Sequence, residues 1–175
     1  MTPRILVAGI GNIFLGDDAF GVEVAQKLLH MQWPERVRVA DYGIRGFDLT
    51  YALMDGYDAA ILIDAAPRGD APGTLYVIEP DLHTLADPGD AAIETHGMNP
   101  MRVLAMVQSM GGAPKRVLVL GCEPSPWGDE EEQERMGLSE PVAAAVDEAV
   151  RMVVSLVDGI IKEHQAMAVL KGDRT

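Results

Sequence analysis

Cysteine is nearly missing from this 175-residue chain. Cys122 is the one copy, so no intrachain disulfide can form and the fold must stand on its core. Aromatic residues are scarce at 5%, whereas methionine is frequent at ten copies; its flexible thioether chain fills irregular core gaps. Basic residues are also few. Fourteen Lys and Arg stand against 27 Asp and Glu, a formal net charge of -13. Such a surface repels nucleic-acid phosphates and anionic lipid heads, which argues against both as partners. It suits a basic protein partner or a metal cation, and it also serves plain solubility. No apolar run is long enough to span a bilayer. The opening Met-Thr-Pro-Arg-Ile-Leu-Val enters a strand pattern without the apolar stretch and cleavage site of a secretion signal, so the expected compartment is the cytoplasm.

What is present is the patterning of an ordinary globule, 48% apolar and 23% charged, of a length that suggests a single domain. Residues 4–10 form a short apolar run that leads into Gly11, as a buried parallel strand does. Residues 19–31 follow with helical spacing at Val22, Ala25, Leu28 and Leu29. A second strand spans 37–40 and is closed by Asp41-Tyr42-Gly43; a short helix spans 47–54. A third strand, 59–63, is stopped by Asp64, and 74–79 alternates like a strand nearer an edge. Residues 80–97 read as a loop broken by Pro80, Pro88 and Gly89. Asn99-Pro100 then starts a helix that ends at Gly111-Gly112. Another buried strand covers 117–120, and the acidic, proline-containing segment 123–137 reads as a surface loop. Ser139 is placed to cap the last helix, whose apolar stripe runs from Val142 through Val153 to Ile160.

Strands alternating with helices predict one α/β domain over residues 1–165. Its form is a three-layer sandwich with a mostly parallel twisted sheet and helices on both faces, and residues 166–175 are expected to be a flexible tail. In such sheets, sites form at the carboxyl ends of the strands. Three features occupy those ends. Gly9 to Gly16 is a turn that delivers Asp17 and Asp18 to a helix, Asp64 follows the third strand, and His96 precedes the Asn99 helix start. Carboxylates and imidazole suit borderline divalent cations, and three protein ligands leave coordination positions open for substrate. Taken one at a time, strand-end and helix-entry aspartates more often act as caps or turn formers.

Other chemistries fit less well. Gly9-x-Gly11 after a strand suggests dinucleotide binding, with Asp41 at the ribose position, but Phe14 replaces the third glycine of G-x-G-x-x-G. Asp17 and Asp18 would also crowd a pyrophosphate with negative charge. A phospho-receiver module would use an acidic pair and an Asp after the third strand, yet Gly121-Cys122-Glu123-Pro124 stands where its lysine belongs. Cys122 has no basic neighbour in sequence to activate it and reads as a buried strand-end thiol.

Together these residues resemble one family. The elements are Gly9-Ile-Gly-Asn12 with Asp17-Asp18 and Gly21, Asp41-Tyr42-Gly43 with Gly46, and Ile63-Asp64-Ala65 followed by Pro72-Gly73-Thr74. His96-Gly97, Gly121-Cys-Glu-Pro124 and Gly137-Leu-Ser139 complete the series. Their order and spacing are similar to the maturation proteases of nickel–iron hydrogenases, the HybD-like peptidases. The resemblance implies a prokaryotic, cytoplasmic, metal-dependent endopeptidase, expected to be a monomer. It would remove a C-terminal extension from the precursor of the hydrogenase large subunit after nickel insertion. It puts the metal contacts on Asp18, Asp64 and His96, and Asp41 with Gly43 in substrate handling. For the proton transfer, one of these carboxylates or the nearby Asp17 is the expected carrier. It implies nickel presented by the substrate, with zinc or cadmium as substitutes. Two departures stand out: Asp18 lies where glutamate is common, and Tyr42 lies where the family's turn has glycine.

Overall fold

The apolar runs become the buried strands of one sheet. The computed structural model describes residues 2–82, 99–126 and 136–172. In it β1 (Ile5–Ile10), β2 (Val37–Gly43), β3 (Ala59–Ala65), β4 (Leu75–Ile78) and β5 (Arg116–Cys122) make a five-stranded sheet of order β2-β1-β3-β5-β4. All neighbours are parallel except β4, which runs antiparallel to β5 at the edge.

Both faces are covered, and strand alternation decides which residue meets which layer. Ile5, Val7, Ile61, Ile63, Leu118 and Leu120 pack against helices α1 (Phe20–Leu29) and α4 (Glu140–Gly172). Leu6, Ala8, Ile10, Ala60 and Leu62 point the other way, to α2 (Gly46–Leu53) and α3 (Pro100–Ser109). The result is the single α/β domain expected, a parallel core with one antiparallel edge between two helical layers.

Several element ends differ from the local reading. β3 continues over Asp64 and Ala65 because these pair with Gly121 and Cys122 of β5. β2 continues to Gly43 through a bulge: Gly9 pairs with Asp41 and Ile10 with Gly43, leaving Tyr42 as the extra residue. Gly43 carries the positive φ of +52° that the turn needs, and Tyr42 keeps an ordinary backbone. Asn99 caps α3, its side chain accepting the Met101 N–H at 2.8 Å, with Pro100 in the first turn. α4 continues through Gly172, since no proline or glycine interrupts Ile160 to Lys171.

The strand order creates a crevice. The chain leaves β1 toward β2 on one side and returns to β3 on the other, so the loops after β1 and β3 diverge at their carboxyl ends. The turn bearing Asp17 and Asp18 follows β1 there, and Asp64 stands near the end of β3.

Candidate functional site

Glycine builds the close approach on which the site depends. Gly11 has φ +140°, and a Cβ at that position would collide with the Asp18 carbonyl oxygen. A Cβ on Gly21 would strike the carbonyl oxygens of Ile63 and Ile10, and one on Gly9 would strike Gly21 and Ala25. These residues therefore let the start of α1 press onto the ends of β1 and β3.

This packing brings the two acidic features together. Asp18 lies in a 3₁₀ turn, Gly16–Ala19, and its Oδ2 accepts the Asn12 N–H at 2.7 Å. Burial raises its pKa, and that hydrogen bond opposes the rise. Asp64 is only 4% exposed, and its Oδ1 has no hydrogen-bond partner among the described residues. Burial, and then the charge of Asp18, hold its carboxyl well above the usual range; a bond from the Ala65 N–H pulls the other way. Two carboxylates close enough for the charge of one to raise the other, one of them with an unused buried oxygen, can offer oxygen donors to a cation. Among the described residues no group of three or more His, Cys, Asp or Glu is arranged to hold a metal ion. His96, the third residue expected at this centre, lies outside the described residues.

Asp17 is bound to a different part of the chain, Ser125 and Ser139. Its Oδ1 accepts the Ser139 N–H at 2.7 Å, and its Oδ2 accepts the Ser125 N–H and the Ser139 hydroxyl, both at 2.8 Å. Ser125 in turn donates its hydroxyl to Ser139 Oγ at 2.8 Å. Ser139 does open α4, its carbonyl accepting the Ala143 N–H at 2.8 Å, but its hydroxyl is spent on Asp17. Sequence reading missed this clasp; the one signal for it was the Gly137-Leu-Ser139 element.

Asp41 and Gly43 border a cleft of about 330 Å³ beside the turn, walled by Phe14, Val22, Tyr42, Ile44 and Arg45. Asp41 Oδ2 accepts from the Gln26 amide at 2.9 Å, and the Asp41 carbonyl accepts from Arg45. Phe14 and Ile44 are 60% and 62% exposed, so the cleft's rim is apolar and open. Cys122 is buried; burial first, and then the charges of Asp17 and Glu123, push its thiol up to about 12. It is a core residue, not a nucleophile. Glu123, expected in a polar loop, is also buried, and accepts the N–H groups of Arg68 at 2.6 Å and Gly69 at 3.3 Å to close the chain after β3.

The chain is similar to hydrogenase maturation proteins. A family model described as HycI, hydrogenase maturation protease, matches residues 22–156. The hydrogenase expression/formation protein HoxM of Azotobacter vinelandii is 32% identical over 158 residues, which are 89% of this chain and 72% of that protein. The hydrogenase 2 maturation protease of Escherichia coli is 30% identical over 158 residues, covering 87% of this chain and 89% of its own. Among solved structures, the hydrogenase maturating endopeptidase HybD from E. coli superposes with a TM-score of 0.70 at 27% identity, covering 89% of this chain and 93% of that one.

Proposed function

The chain belongs to the hydrogenase maturation protease family, and from that premise we propose that it cuts the C-terminal extension from the large-subunit precursor of a nickel–iron hydrogenase after nickel has been inserted. It is a peptide-bond hydrolase. Its recognition signal is the nickel that the precursor already carries, with zinc or cadmium able to stand in. It works as a cytoplasmic monomer; among the described residues no helix is long and apolar enough to cross a membrane.

The observation that carries this reading is the buried, orphaned Oδ1 of Asp64, on a carboxyl that feels the charge of Asp18. A buried carboxyl without a partner costs stability, and such groups persist where a ligand completes them. Asp18 and Asp64 supply oxygen donors and His96 an imidazole. The metal supplies Lewis-acid polarisation of the scissile carbonyl or of a water. Asp41 and Gly43, at the mouth of the apolar cleft, hold the extended peptide that leads to the scissile bond. All three donors must be free of protons to engage the cation. Because the Asp64 carboxyl is raised, activity rises as pH climbs through its folded-state value, and His96 adds a second loss on the acid side.

The test is incubation with nickel-loaded and nickel-free precursor, with the product read by mass spectrometry. One shortened large subunit, formed from the nickel-loaded precursor alone, is expected. Cleavage that ignores nickel, or no cleavage of either form, would overturn the reading.

A further inference from the structure

Asp17 and Asp18 are neighbours in one 3₁₀ turn, yet they are gripped by different parts of the chain. Asp18 is tied to the β1 side through the Asn12 N–H at 2.7 Å. Asp17 is tied to the β5 and α4 side by three donors from Ser125 and Ser139, more than a hundred residues away in sequence. Backbone N–H groups can only donate, so both Asp17 oxygens are committed as acceptors, and the Ser139 hydroxyl takes a further lone pair. An oxygen so engaged is badly placed to shuttle a proton. The clasp on Asp17 fixes the backbone of the turn that also carries Asp18, while the Asn12 N–H holds the Asp18 side chain itself. The beginning of α4 also offers partial positive charge to a carboxylate in a region that holds two further acids.

We infer that Asp17, held by Ser125 and Ser139, is the positioning residue that aims Asp18 at Asp64. This rests on the reading given under Proposed function, and it replaces the expected proton-carrying role of Asp17 with an indirect one. An asparagine cannot take over the clasp. Each Asp17 oxygen faces an N–H donor, so either orientation of the amide sets its NH₂ against one of them.

The experiment compares Asp17→Asn, Ser139→Ala and Ser139→Thr, with Asp58→Asn as a control. Asp58 is another carboxylate clasp, accepting from the Arg4 N–H and Lys115 at the opposite end of β3. Steady-state cleavage of the nickel-loaded precursor, thermal unfolding and the amide NMR signal of Asn12 are measured for each. Asp17→Asn is expected to lower kcat on the order of 100-fold, the scale of an ångström-level misplacement. Ser139→Ala, which loses one bond to a charged group, lowers kcat about tenfold. KM stays near wild type in both, and Ser139→Thr restores kcat. The Asn12 amide, which reports the position of Asp18 without any substrate, shifts in the first two variants and stays put in Asp58→Asn.

Two outcomes overturn the inference. If Asp17→Asn is inactive while Ser139→Ala matches wild type, Asp17 carries the proton itself. If kcat merely follows the fall in melting temperature, as a purely structural clasp requires, and the Asn12 signal does not move, positioning is refuted. Failure of the underlying reading looks different: Asp64→Asn then cleaves at the wild-type rate, whatever the Asn12 signal shows.

Discussion

Replacing Asp64 by asparagine keeps the side chain's shape and removes its charge, and it separates the cost of this residue from its use. In the folded chain the Oδ1 is buried without a partner among the described residues, and Asp18 adds like-charge repulsion. An unpartnered buried polar atom costs about 1–3 kcal/mol, and a charged one more, so removing the charge returns on the order of 1–2 kcal/mol at neutral pH. For a domain of this size that is a rise in melting temperature of about 2–8 °C. The sign with pH is fixed. The folded-state pKa of Asp64 lies above its ordinary value of 3.8. Its share of stability is therefore full below that value and is lost as pH rises through the folded one. The variant's advantage should thus be large at neutral pH and shrink on acidification. Thermal unfolding followed by circular dichroism from pH 4 to 8 measures it. A melting temperature that is unchanged or lower at pH 7 would refute the reasoning, because Asp64 would then have a satisfied structural role.

Gly11→Ala forces a Cβ into the Asp18 carbonyl at a left-handed φ of +140°, so stability should fall by about 1–3 kcal/mol in denaturant melts, and cleavage with it. Cys122, buried with its thiol pushed up to about 12, should resist iodoacetamide at pH 8 in the native protein and react fully in guanidinium, as mass spectrometry would show; native labelling contradicts the packing around β5. Phe14→Ser together with Ile44→Ser strips the apolar rim of the cleft and should raise KM about tenfold with kcat near wild type; an unchanged KM removes the cleft from peptide binding.

The layered fold was legible because its strands are continuous apolar runs and its helices carry a regular stripe, and both signals are local. Where reading failed, the missing information lay on another part of the chain. β3 outruns its apolar segment because β5 offers partners to Asp64 and Ala65. β2 reaches Gly43 because Tyr42 is accommodated as a bulge beside Ile10. Ser139 was readable as a helix start, but nothing near it announces that its hydroxyl belongs to Asp17, a residue 122 positions earlier. Glu123 looked like the edge of a solvated loop, and its burial depends on Arg68 and Gly69 folding back over it. Asp18 and Asp64 were legible as strand-end acids; that the charge of one reaches the other follows from the glycine contacts that draw the start of α1 onto the sheet.

Asp18, Asp64 and His96 are proposed to act on one cation. Cleavage of nickel-loaded precursor by Asp18→Asn, Asp64→Asn and His96→Ala, each first confirmed as folded by circular dichroism, tests this proposal most directly. Loss of processing in all three, with intact precursor remaining on the gel, is the expected result. Wild-type processing by any one of these folded variants would contradict the account.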